Sequence, residues 1–567
     1  MNKVIKLRKK EIVYFLIFLI VSFYFTYTMV KTGRLVVQVD GVFHLQRLQQ
    51  IFDNIKRGQL FTFIGSDTFR HIGLGSFLFY PYVWYYPFAF FKLFFNPVTA
   101  IYLGYGFFLL LTFFCSYAAM KIYSNNIDRS FIFSLIYTLC SKHITEILRF
   151  QWGELFAYTF IPIALAGFYK LVYQNSNESG TSYVLAIGLA LVLYSHLLSA
   201  YLVVILIGLV FILSFLLRKI SVKVWIDLLK NIGVFLLLTG WILLPLLTDY
   251  LGRNVEPAKP GFNWPDTFEN FWFSSLKNVI YSDTSIGVIL IVTFILGWLF
   301  IRNNKSELSI YLIGYILTIA STSLLPWNSL GKYSILKMFS VLQYSFRFLV
   351  LTVPLLSTSA SYIIYQFMEA NPKKLSKVLM AAFTVIMLGF SVQLTNEFER
   401  QQQVTLPGLV ENTNDSNVKA PGLFVLTNAD YNALINYRAP IGAEDYVLRG
   451  SNSTRMENNE GYLDRRREKF KPVSSANKLT YNIIVKKNNS DLELPVVPYS
   501  HTKVTINGTN VRFKISKEKG ILLNRLKKGN KKIEITYQPS IMFYILFCTA
   551  LVTFIVLFGR FIKNKYL

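Results

Sequence analysis

In the stretch Val37-Gln38-Val39-Asp40-Gly41-Val42-Phe43-His44, a carboxylate and an imidazole stand four residues apart. On a helix they share one face. Asp40 there can act as a general base or metal ligand, with His44 orienting or assisting it. The same spacing also suits a helix N-cap and a local hydrogen bond. Arg149-Phe150-Gln151-Trp152-Gly153-Glu154 is a polar knot between apolar runs. Its Arg and Glu either pair with each other or leave the planar guanidinium to hold a phosphate. His196, in Ser195-His196-Leu197-Leu198-Ser199, is either a structural group at a turn or a ligand. Arg347, in Gln343-Tyr344-Ser345-Phe346-Arg347-Phe348, either snorkels to headgroups or meets an anionic substrate. Asp67, Arg70 and His71 add polar groups near the first pair. Arginines beside a carboxylate and imidazoles suit a lipid-phosphate substrate. The cations would neutralise the phosphate and the carboxylate would take a proton from an acceptor hydroxyl.

These residues have to be positioned by membrane elements. The chain has 567 residues, 53% of them hydrophobic and only 16% charged, with a mean hydropathy of +0.41. A soluble domain carries about 25% charged residues, so a soluble enzyme is excluded, and so is a soluble nucleic-acid binder despite the net charge of +27. Cys115, Cys140 and Cys548 all lie in apolar runs, which argues against a disulfide framework or thiolate metal site. Lys3, Lys6, Arg8, Lys9 and Lys10 precede apolar 12–30, which reads as an uncleaved first span with a cytoplasmic N-terminus. Further apolar runs fall at 98–120, 130–147, 154–172, 183–217, 232–250, 284–301, 309–326, 346–367, 378–395 and 541–560. The 183–217 run is too long for one crossing and is expected to turn at His196. Segment 77–95, rich in Tyr, Trp and Pro, reads as re-entrant or interfacial.

The expected fold is thus a polytopic α-helical membrane protein of about twelve spans. Basic loops at 218–231 (Arg218, Lys219, Lys223, Lys230), 302–308 (Arg302, Lys305) and 368–377 (Lys373, Lys374, Lys377) are expected in the cytoplasm, as is the tail with Arg560, Lys563 and Lys565. The exterior then receives 31–76, 148–153, the His196 turn, 252–283, 327–345 and 396–540. All six candidates, Asp40, His44, Arg149, Glu154, His196 and Arg347, fall on that outer side. The expected partition is a membrane module over 1–395, with first outer loop 31–76, an extracytoplasmic domain over 396–540, and a final helix with a basic tail over 541–567. Short alternating runs at 481–485, 504–506, 511–515 and 533–537, separated by Asn507-Gly508 and Lys528-Gly529-Asn530, make the outer domain a small β-sandwich. Aromatics in Phe262-Asn263-Trp264-Pro265 and 268–273 suit lipid contact.

The chain resembles the GT-C superfamily of membrane glycosyltransferases, and within it the bacterial YfhO-like and 6-pyruvoyl-tetrahydropterin synthase-related membrane proteins. The residues that carry the resemblance are Asp40 in the first outer loop, Arg149, Gly153 and Glu154 in the knot, and Gln343, Arg347 and Phe348. Gly529, Ile533, Ile535, Tyr537 and Pro539 before the last span extend it. Tyr344 and Ser345 replace the aromatic-Pro pair usual in the third motif. The resemblance implies transfer of a sugar from a polyprenyl-phosphate donor to a cell-envelope acceptor on the outer face. The acceptor would be a polysaccharide, teichoic acid or glycolipid, and Asp40 the general base of an inverting displacement. Some members use a divalent cation, but Asp40 and His44 alone are too few ligands to define a site. The competing readings are a transporter or flippase for envelope precursors and a non-catalytic assembly protein that docks through 396–540.

Overall fold

The computed structural model describes residues 2–174, 182–218, 220–256, 261–263, 267–330, 333, 336–404, 408, 423–436 and 445–566. Lys219, Trp264 and Pro265 lie outside these described residues. Two compact units form, and neither is contiguous in sequence. The first comprises Met1–Thr32, Tyr102–Leu236 and Lys259–Val404; the second comprises Gly33–Ile101, Leu237–Ala258 and Thr405–Leu567. The boundaries at 395 and 540 follow composition, whereas contact joins the loop after the first helix and the last helix to the β-rich region.

Each of the twelve apolar runs carries helix, but their lengths differ. Among the described residues eight helices are long and apolar enough to cross a membrane, and Ile127–Thr138 with Ser141–Leu148, bent by 45°, makes a ninth if the pair is one span. These helices fit a membrane location. The count of twelve does not follow from them. Val184–Leu193 has 10 residues, Val288–Ile301 has 14 and Lys305–Ala320 has 16, and roughly 20 are needed for a hydrocarbon core of about 30 Å. The apolar runs there are longer than the helices because apolar residues continue into turns, where the chain leaves the helix. Two basic loops also shrink. Lys223 and Lys230 lie inside helix Val222–Pro245, and Lys373, Lys374 and Lys377 occupy the start of helix Lys373–Gln402.

In the first unit the long run near 183–217 breaks where the sequence places it. Tyr194 ends one helix, and His196, extended at φ −155° and ψ 122°, is the N-cap of Leu197–Leu217. Helices Trp152–Tyr169 and Val184–Leu193 cross on two glycines. A Cβ on Gly167 would lie 2.4 Å from the Leu185 amide nitrogen, and one on Gly188 would lie 2.5 Å from that of Ala164. Small residues let membrane helices approach at backbone distance.

In the second unit strand Leu35–Gln38 pairs antiparallel with Leu423–Leu426, and helix Val39–Lys56 follows directly. Segment 77–95 is not one helix. It forms Ser76–Phe79, Val83–Tyr85 and Tyr86–Lys92, with the chain broken around Pro81, which offers no N–H to a ladder. The β-sandwich is present. One sheet runs Thr509–Val511, Thr502–Ile506, Gly529–Tyr537, Lys478–Val485, Val473–Ser475; the other runs Lys514–Ile515, Ile521–Leu526, Ser490–Leu494, Glu460–Leu463, Arg466–Lys469. Every second residue of Lys478–Val485 is buried, and Leu479, Tyr481, Leu492, Leu494, Ile521, Ile533 and Ile535 join the two faces in one core. Asn507-Gly508, at φ 51° and 84°, closes a two-residue hairpin. The expected strand 511–515 is divided: Val511 belongs to one sheet and Lys514–Ile515 to the other. The first loop is stitched to this sandwich. The Phe63 N–H donates to Asn477 Oδ1 at 2.7 Å, the Gly75 N–H to Tyr499 Oη at 2.7 Å, and the Val497 N–H to the Ile72 carbonyl at 3.0 Å.

Candidate functional site

The structure places the six sequence candidates in two groups, one in each unit. In the second unit Asp40 is exposed in the first turn of helix Val39–Lys56. Its expected capping role goes to another residue: Gln38 is the N-cap and makes no side-chain cap bond. Strand pairing fixes Gln38 as extended up to the first helical residue, so Asp40 falls within the turn. There the positive end of the helix dipole favours its ionised form.

His44, one turn on, is buried with its Nδ1 2.5 Å from Tyr85 Oη. Arg47 is fully buried beneath it, donating from Nη1 to Tyr85 Oη at 2.9 Å and from Nη2 to the Tyr80 carbonyl at 2.6 Å. Its guanidinium lies 4.7 Å from the ring centres of both Tyr80 and Tyr85, and within about 5.5 Å of Phe43 and Phe77. Arginine is never an acceptor, so the Tyr85 hydroxyl takes a hydrogen bond from Arg47, and it shares a second one with His44 Nδ1 whose direction follows the imidazole tautomer. Burial pushes Tyr85 up to about 12, with Arg47 opposing and the Asp40 charge adding to the rise. The hydroxyl therefore keeps its proton across the physiological range. His44 thus stands one helical turn after Asp40, with its ring held by Tyr85. The sequence reading missed Arg47, Tyr80 and Tyr85. Arg47 sits three residues past His44, which is a usable signal, whereas the tyrosines belong to a segment that reads only as re-entrant or interfacial.

The neighbouring polar groups lock the loop. Arg57 forms a bidentate pair with Asp67 at 2.5 and 2.9 Å, Arg70 Nε donates to the Glu457 carbonyl at 3.1 Å, and His71 Nδ1 lies 2.7 Å from the Ser66 carbonyl oxygen.

The other four candidates lie in the first unit, and three of them are ion-paired. Arg149 does not pair with Glu154. Its Nη1 meets Asp283 at 3.1 Å and donates to the Tyr281 carbonyl at 3.0 Å, and Gln151 donates to the same Asp283 at 2.7 Å. Glu154 instead takes Arg347 at 3.0 Å through one oxygen, with Lys142 3.9 Å from the other. Lys142 is fully buried and pairs with Glu146 at 2.6 Å, one helical turn along. His196 is buried, its Nδ1 2.9 Å from Ser199 Oγ, and it interacts electrostatically with both Glu154 and Arg347. Lys142 and Glu146 were missed because they sit inside a run read only for its apolar content. Counted as ionised, Lys142, Arg149 and Arg347 balance Glu146, Glu154 and Asp283. The two arginines expected to hold phosphate therefore already have carboxylate partners. A phosphate would have to displace those carboxylates.

Among the described residues no three His, Cys, Asp or Glu side chains gather as a metal site. No family model matches the chain, and no curated protein matches it in sequence.

Proposed function

We propose that the protein is an integral-membrane glycosyltransferase moving a sugar from a polyprenyl-phosphate donor to a cell-envelope glycan on the outer face. What supports this reading is Asp40: it is exposed in the first turn of a helix, one turn before His44, whose ring meets the Tyr85 hydroxyl that Arg47 also holds. In the reaction the acceptor oxygen attacks the anomeric carbon as the bond from that carbon to the phosphate oxygen breaks. Asp40 takes the acceptor's proton, and the departing phosphate carries away the bonding pair.

The test is envelope glycan mass spectrometry of a deletion strain carrying either wild-type protein or Asp40→Asn at matched membrane levels. Loss of one sugar substituent with Asp40→Asn is expected and would identify the sugar. An unchanged profile, with Asp40→Asn rescuing the deletion phenotype, overturns the reading.

A transporter or flippase is the second reading, favoured by the buried Lys142–Glu146–Glu154–Arg347 group. Ionisable residues inside membrane helices commonly mark an ion or substrate path. Precursor movement across vesicles holding the purified protein, lost in Glu154→Gln and kept in Asp40→Asn, would replace the enzyme with this alternative.

A further inference from the structure

A cavity of about 360 Å³ opens inside the first unit, within the size range of small-molecule sites. Its lining is graded. Tyr123, Tyr173, Arg218 and Ser306 stand where their helices end or begin, so they gather at one end of the cavity. Pro162, Leu206 and Ile313 lie deeper along three of these helices, Pro354 lies on helix Leu349–Glu369, and all four are apolar. From Leu206 to Arg218 the helix rises about 18 Å, which matches the hydrocarbon depth of one leaflet, roughly half of 30 Å. Arg218 is exposed and stacks over the Tyr173 ring at 5.3 Å, and Tyr173 Oη is 2.5 Å from Ser214 Oγ. The Tyr123 and Tyr169 rings, tilted by 60°, have their centres 4.5 Å apart, so the polar end is walled by tyrosines. Exposed Arg302 and Lys305 flank Ser306 in sequence.

We infer that this cavity holds one acyl chain of an anionic phospholipid, with the headgroup phosphate on Arg218. Three features select that occupant over a peptide or a neutral ligand. Four of the walls belong to helices long and apolar enough to span a membrane, so the surrounding medium is lipid. The shape is a deep apolar slot with one polar end. That end carries positive charge, as phosphate requires. The lipid acts as a structural ligand, and the inference stands apart from the reading of Asp40.

The experiment is native mass spectrometry of the full-length protein in mild detergent, titrated with phosphatidylglycerol, phosphatidylcholine or a polyprenyl phosphate. Wild-type protein is expected to retain phosphatidylglycerol about fivefold better than phosphatidylcholine, the worth of one arginine beside an anionic group. Arg218→Gln is expected to erase that preference. Ile207→Trp, which fills the slot, is expected to lose both lipids. Equal retention of the two phospholipids by wild type overturns the inference, as does undiminished binding by Ile207→Trp. Displacement of phosphatidylglycerol by equimolar polyprenyl phosphate overturns the assigned occupant. Arg218 is exposed, so Arg218→Gln decides the headgroup even if Ile207→Trp fails to fold.

Discussion

Tyr85 links two partners that do not otherwise share an atom: the His44 ring and the Arg47 guanidinium both end on its hydroxyl. Tyr85→Phe leaves buried hydrogen-bonding groups on both partners without it, at about 1–3 kcal/mol. A lower melting temperature is therefore expected, along with weaker glycan transfer under the proposed function, because His44 loses that partner. Asp40→Asn removes a charge from an exposed position and is expected to leave the melting temperature almost unchanged. A thermal melt of the two variants side by side separates a positioning role from a chemical one. In the first unit Glu154→Gln takes the carboxylate away from Arg347 and leaves a buried cation, worth about 3–5 kcal/mol. Membrane yield should fall, and adding Arg347→Gln should restore part of it. The Asp40 and His44 pair was legible because i, i+4 spacing is a local property. Arg149 with Asp283 was not, since two polar residues far apart in sequence give no sign that a fold joins them.

At the scale of elements, the crossing of Trp152–Tyr169 with Val184–Leu193 leaves no room for a methyl group at either glycine. Gly188→Val would force apart the closest packing of a helix that has only 10 residues. Reduced yield and faster proteolysis between the two helices are expected. Lys92 gives helix Tyr86–Lys92 a pH response. Its ammonium reaches Gln49 Oε1 and lies 4.3 Å from the Phe52 and Tyr431 rings, while burial brings it down to about 7, with Asp53 opposing. Unfolded, the same group titrates near 10.4. Between these values the unfolded chain binds more protons, so stability should rise as pH climbs from about 7 toward 10 and be flat below 7. Hydrogen exchange of residues 86–92 across pH 6 to 9 measures it. The helices and strands themselves were legible from period and apolar run length, and so was the break at His196. Their ends were not, because hydropathy is blind to where the backbone hydrogen-bond ladder stops. Two basic stretches read as loops are helix for that reason.

Across the whole molecule, the membrane class was legible from composition, and the sandwich from alternation and turn residues. The partition into units was not, because it is set by pairing between segments far apart in the chain. The three cysteines offer a direct check on the membrane faces: Cys548 is exposed, Cys115 intermediate and Cys140 buried. An apolar maleimide added to membranes is expected to label Cys548 first and to spare Cys140 until the protein is denatured. Leu35 pairs with Leu426, so about 390 residues separate the two halves of that small sheet. At roughly 5–20 residues per second, a ribosome takes on the order of 20–80 s to supply the second half after the first has emerged. Throughout that interval the strand just before Asp40 has its hydrogen-bonding edge open, and helix Val39–Lys56 lacks the element that anchors its start. A chain released early, at any point before Leu423, would therefore reach the membrane without helix Ile541–Tyr566 and with the loop after its first helix unclosed. That makes the Leu35–Gln38 edge a natural handle for proteases that remove incomplete products.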